Sequence, residues 1–94
     1  MRCAKPLFPL GRIVATPGAI DALTRANQQP HDFLNRHVAG EWGELENEDK
    51  AENDYSLQHG FRILSSYITA AGEKLWVITE ADRSVTTLLL PEDY

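Results

Sequence analysis

Three β-forming runs joined by very short links occupy the last third of the chain. Residues 62–69 carry Ile63, Leu64, Tyr67 and Ile68; residues 74–79 carry Leu75, Trp76, Val77 and Ile78; residues 85–90 form the longest apolar run, interrupted by Thr86 and Thr87, and are stopped by Pro91. Residues 70–73, with Gly72, suit a tight hairpin turn, and residues 80–84 make a short polar connection. Strands linked this closely have no room for a crossover, so they are expected to pair antiparallel as a three-stranded meander. Few polar residues alternate within the first two runs, so the sheet needs cover, which the preceding segments must supply.

Those segments read as a short strand followed by helices. Arg12, Ile13 and Val14, within residues 11–15, suit an edge strand. Thr16 followed by Pro17 is a helix start, because the threonine oxygen can accept from free amides and proline at the first helical position loses no needed hydrogen bond. Ala19, Ile20, Leu23 and Ala26 then share one face, and Asn27, Gln28 and Gln29 end the helix. Pro30 and Asp32 open a second helix with Phe33, Leu34, His37 and Val38 on its apolar face and Gly40 as its cap. A third helix is expected from about Glu48 to His59, closed by Gly60. The expected fold is therefore α+β: a short N-terminal strand, three helices, then a three-stranded antiparallel β-meander covered on one face by the helices. Residues 1–10, with Pro6 and Pro9 and no period, read as an extended and mobile N-terminal arm, and residues 11–94 as a single domain.

A chain of 94 residues can build one core and has no room for a cofactor domain beside a substrate domain. One cysteine, Cys3, excludes an internal disulfide framework and a cysteine-based zinc cluster. Arg2 and Lys5 are not followed by an apolar segment, so no signal peptide is expected, and no run reaches the ~18 apolar residues of a membrane span. The expected setting is cytoplasmic, with no membrane partner.

Net charge is −5, and its distribution matters more than its size. Residues 41–59 hold Glu41, Glu44, Glu46, Glu48, Asp49, Glu52 and Asp54 against Lys50 alone. Residues 1–40 are net positive, so the acidity is local. Such a segment repels nucleic acid and attracts a basic groove, including one built to hold DNA or RNA. Trp42 and Tyr55 flank it and are candidate aromatic anchors at an interface. The alternative is a solvated acidic face that only aids solubility. Direct nucleic-acid binding is disfavoured by the sign of the charge and by the scatter of the basic residues.

Signals for catalysis are thinner. His31, His37 and His59 lack the i, i+4 spacing of helical metal ligands, and no metal or cofactor is expected. His37 sits on an apolar stripe, where a half-buried histidine with one hydrogen bond is the ordinary reading and a general base the sharper one. Glu80, Asp82 and Arg83, with Ser84, make the densest polar cluster of the β region. A carboxylate site is one reading of it; a charged turn bonding its own backbone is the preferred one. Ser65–Ser66 has no surrounding nucleophile elbow.

The segments Gly60–Tyr67, Trp76–Thr87 and Leu90–Tyr94, with Phe33–His37 and Gly40–Gly43, resemble a family of small bacterial proteins from plasmids and integrated elements. The likeness covers roughly residues 9–94. Its members carry labels such as "plasmid-related protein" or "type I restriction subunit M". The second cannot be literal here, because a methyltransferase subunit needs a cofactor-binding domain. The resemblance implies a mobile-element context and no catalytic residue. With the acidic segment it leads to an expected function: a non-enzymatic inhibitor of host nucleic-acid-handling defence machinery, of the anti-restriction or anti-CRISPR type, acting on a host protein with a basic groove. The alternatives are a small enzyme using the Glu80–Ser84 loop and a homodimeric structural or regulatory protein.

Overall fold

A computed structural model describes residues 6–94. The elements are β1 (Arg12–Ala15), α1 (Pro17–Ala26), α2 (Pro30–Val38), α3 (Asn47–His59), β2 (Ile63–Ile68), β3 (Lys74–Thr79) and β4 (Val85–Leu89), followed by one 3-10 turn, Pro91–Asp93. The α+β class and the three helices match expectation. The sheet differs in detail: it has four strands in the order β1-β4-β3-β2, and it is mixed. The β2–β3–β4 meander is antiparallel, while β1 joins β4 in parallel, Arg12 beside Val85 and Ala15 beside Leu88. The helices carry the chain over one face between β1 and the meander, and this is what allows first and last strands to run the same way.

The helix boundaries have local causes. Thr16 Oγ1 accepts from Ala19 N–H at 3.1 Å and caps α1. Asn27 ends α1 in the left-handed conformation, where its backbone N–H bonds carbonyls of the last turn. Gly60 ends α3 in the same way, at φ 75°. The cap of α2 is Ala39; expected Gly40 follows with φ 84°.

Alternation along the strands sorts the sheet into two faces. Ile63, Ser65, Tyr67, Leu75, Val77, Thr79, Thr86 and Leu88 are all fully buried on the helix-covered face. Ala19, Ala22, Leu23, Phe33 and Leu34 pack against the apolar members of that set. A second cluster, Phe8, Trp42 and Ile63, is flanked by Leu10, Val38, Leu45 and Leu57. Part of the expected arm packs on the domain: Leu7 N–H bonds Val38 O at 2.8 Å, and Phe8 is 7% exposed. Cys3, with Arg2 and Lys5, lies outside the described residues.

The opposite face lies away from the packing residues of α1 and α2, and the C-terminal 3-10 turn sits against β3 there. Trp76 there is half-buried rather than central to the core, and Tyr94 meets it edge-on at 5.9 Å between ring centres. Arg62 Nη2 donates to Tyr94 Oη at 2.6 Å, which draws the chain's last residues across this face.

The two sheet edges are treated differently. At β2, Asn53 of α3 presents its amide to the strand backbone: Nδ2 donates to Leu64 O at 2.6 Å, and Oδ1 accepts from Leu64 N–H at 3.1 Å. Two residues on, Ser66 N–H bonds Trp42 O and Ser66 O accepts from Glu44 N–H. Gly43 is needed at this crossing, because its φ is 81° and a Cβ would lie 2.1 Å from Ser66 O. Edge β1 has no such cover among the described residues.

Candidate functional site

The acidic segment does not form one surface. Glu41 pairs with Arg36 in a short contact between the ends of α2 and the following loop. Asp54 accepts from the indole Nε1–H of Trp42 at 3.2 Å. Trp42 itself is 5% exposed, which corrects its reading as a surface anchor. Its large apolar ring is worth more against Phe8 and His37 than in water, and its one polar atom still reaches a carboxylate. Glu44 lies before α3, beside the edge of β2, so it does not continue the helical line of Glu48 and Glu52. Glu46 stands at the N-cap position, and Glu48 and Asp49 occupy the first turn, where the helix dipole favours negative charge.

The outer face of α3 is the part that holds together. Asn53 and Ser56 bury the inner face. Glu48, Glu52, Tyr55 and His59 recur at three- and four-residue spacing along an exposed flank beside it. All four are exposed. Tyr55 stacks on His59 at 4.0 Å between ring centres and lies nearly parallel to Phe61 at 6.0 Å. Tyr55 is 55% and Phe61 53% exposed, so a row of rings continues the acidic stripe toward the start of β2. The sequence marks Tyr55 as a candidate but not His59 or Phe61, because only the left-handed turn at Gly60 brings Phe61 back beside the helix end.

The loop at residues 80–84 is built as a turn. Asp82 Oδ1 accepts from Ser84 Oγ–H at 2.6 Å and from Ser84 N–H at 3.0 Å, bonds that hold the Asp82 carboxyl below its usual range. Arg83 adopts φ 61°, an uncommon conformation for a side-chain-bearing residue. Its guanidinium is spent on backbone carbonyls: Nη1 donates to Phe61 O at 2.7 Å, Ala81 O at 3.1 Å and Glu80 O at 3.2 Å, and Nη2 donates to Ser56 O at 3.0 Å. Arg83 thus clamps the loop to the end of α3 and to the residues leading into β2. Glu80 is half-buried in the same loop.

His37 is fully buried, more so than a half-buried histidine with one bond. Its Nδ1 lies 2.5 Å from Ser65 Oγ, and its Nε2 lies 2.9 Å from Thr79 Oγ1. Thr79 Oγ1 is 2.7 Å from Thr86 Oγ1, which donates to Leu10 O at 2.8 Å. That last carbonyl can only accept, and this fixes every direction in the chain. Thr86 gives its proton to Leu10, so Thr79 donates to Thr86 and accepts from His37 Nε2–H. Nδ1 is then the bare nitrogen, and Ser65 donates to it. The imidazole is neutral, and burial pushes its pKa down to about 3. Phe8 and Trp42 close over the ring edge-on, at 5.2 and 5.9 Å. Ser65 and His37 have the contact of a nucleophile and base, yet both are 0% exposed. The partner positions Ser65, Thr79 and Thr86 show in sequence only as polar residues at inward strand positions.

The structure does not join His37 to the loop acids. Clefts on the surface are lined by Ile20 to Pro30 on one side and by Leu45, Asp49, Glu52, Asn53, Arg62 and Leu64 on another, without His37 or the loop. His31 lies 3.7 Å from Asp32 at the exposed start of α2. Among the described residues, no group of three or more His, Cys, Asp or Glu could hold a metal ion, and no helix is long and apolar enough to cross a membrane. Comparison with protein-family models, curated proteins and solved structures finds no match to this chain.

Proposed function

We propose that this chain is a non-enzymatic protein-binding module that meets a basic partner surface with the outer face of α3. The observation that carries the reading is the continuity of Glu48 and Glu52 with the exposed rings of Tyr55, His59 and Phe61. Carboxylates speed and orient the encounter with a basic groove, while aromatic rings supply desolvated contact once it is made. In the finer reading, the groove belongs to a host protein that handles nucleic acid, and the chain serves a mobile element by occupying it. The resemblance to small plasmid and integrated-element proteins and the local acidity support this choice of target.

The test separates charge from rings. Partners are first captured with the purified protein at low and high salt. Association rates are then measured for Glu48→Lys/Glu52→Lys and for Tyr55→Ala/Phe61→Ala, after matching melting curves. Exposed charges cost folding little, within about ±0.5 kcal/mol each. The charge variant is expected to slow association and flatten its salt dependence, and the ring variant to speed dissociation. Unchanged rates in both variants would overturn the reading and leave the acidic stripe as a solubility feature.

A further inference from the structure

The outer side of β1 is an open edge of this sheet among the described residues, whereas Asn53 and the Trp42–Glu44 segment close the outer side of β2 at Leu64 and Ser66. Arg12 N–H bonds Ser84 O at 2.9 Å and Thr16 N–H bonds Leu88 O at 3.0 Å, both toward β4. Backbone groups alternate sides along a strand, so Ile13 and Ala15 turn their N–H and C=O outward. Ile13 and Val14 are 42% and 39% exposed. Residues 13–15 include no lysine, proline or glycine of the kind that blunts an edge.

We propose that β1 pairs with β1 of a second copy, antiparallel about a two-fold axis, to make one continuous sheet. Residues opposite one another must share a face, which restricts the register. With Val14 opposite the second copy's Val14, Ile13 falls opposite Ala15 and the reverse, so every outward backbone group finds a partner. The same register sets Arg12 opposite the second copy's Thr16. Within each copy Thr16 Oγ1 donates to Asp93 Oδ2 at 2.6 Å, so each Arg12 comes within reach of a carboxylate on the other copy. Arg12 is exposed and has no acidic partner among the described residues of its own copy. The neighbouring register, Ile13 opposite Ile13, is poorer. It sets Arg12 against Val14 and Ala15 against Gly11, whose φ of 66° takes it out of strand geometry. Charge complementarity and backbone satisfaction therefore select the same pairing. The helix layers of both copies then lie on one side of the joint sheet, and the two α3 faces lie at its far ends, so this pairing is independent of the α3 reading.

Sedimentation across a dilution series from millimolar to micromolar protein, with amide hydrogen exchange on the same samples, tests the pairing. The wild-type chain is expected to dimerise, with the Ile13 and Ala15 amides protected in proportion to the dimer. Val14→Lys sets two ammonium groups face to face at the axis and is expected to weaken dimerisation by roughly a hundredfold. In that variant Ile13 and Ala15 should lose protection while the Val14 amide, which faces β4, keeps it; that amide reports that the fold is intact. Arg12→Glu should weaken the dimer too, more so at low salt. A monomer throughout, a dimer that Val14→Lys leaves unchanged, or protected Ile13 and Ala15 amides in a monomer would each overturn the proposal.

Discussion

A neutral imidazole held between two hydroxyls responds to acid in a direction its surroundings fix. His37 has a pKa of about 3 in the fold against 6.5 in the open chain. Above pH 6.5 both states are neutral at this site, and its contribution to stability is fully present. As pH falls from 6.5 toward 3 the unfolded chain takes up a proton that the fold refuses. Stability should drop by ~1.4 kcal/mol per pH unit, to a total near 5 kcal/mol. Urea denaturation between pH 7 and pH 4 checks this, and His37→Gln should flatten the slope. Arg83 offers a second test at this scale. Arg83→Ala removes a charged fork from four carbonyls and should cost ~2–3 kcal/mol. Lysine should not restore the loss, because an ammonium cannot span carbonyls set apart by a planar fork. Chemical denaturation of the three proteins gives the ranking directly. His37 was visible in sequence as a residue on an apolar stripe, but its partners were not: Ser65 and Thr79 come from two strands far along the chain. Trp42 was misjudged for a related reason. Beside a run of acids it reads as exposed, whereas Phe8 and Ile63, from distant segments, cover it together with His37.

Helices and strands were more legible than their neighbours in space. Thr16–Pro17, Asn27 and Gly60 mark ends that depend only on local geometry, and the meander follows from links too short for any other route. The parallel pairing of β1 with β4 has no local signal, because Arg12 meets Val85 only after every helix is in place. The sealing of β2 by α3 was equally hidden, since one asparagine among many polar residues does not announce its partner. Asn53→Ala should therefore cost ~1–3 kcal/mol by leaving Leu64 N–H and C=O unpaired at a partly buried edge. The Leu64 amide should exchange faster in that variant, while amides of the β3–β4 pair stay slow; hydrogen exchange resolved by residue separates the two. Trp76 lies on the face away from α1 and α2 and is half-buried, so Trp76→Ala should cost less than the ~3–5 kcal/mol of a buried ring. Its lost contact with Tyr94 should show as faster exchange at the C-terminal turn.

At the scale of the molecule, the start of α1 and the C-terminal turn meet at one carboxylate. Asp93 Oδ2 accepts from Thr16 Oγ1 and, at 3.1 Å, from Leu90 N–H, and these bonds hold its pKa below the usual range. Protonation should loosen the junction as pH falls through that lowered value, a change separable from the His37 effect by comparing Asp93→Asn with the parent below pH 4. The junction also ties β1 into place beside β4, and this sets an order of events in time. During synthesis β1 leaves the ribosome first, yet the strand it must join is made last. A bare four-residue segment, apolar at every position but Arg12, has to wait through the making of three helices and two strands before its place in the sheet exists. Refolding should show the same order: Val14→Ala should speed unfolding and leave the folding rate nearly unchanged, because β1 docks after the barrier is crossed. Stopped-flow measurement of both limbs decides it. In a cell, that interval is when this chain has most to gain from a chaperone.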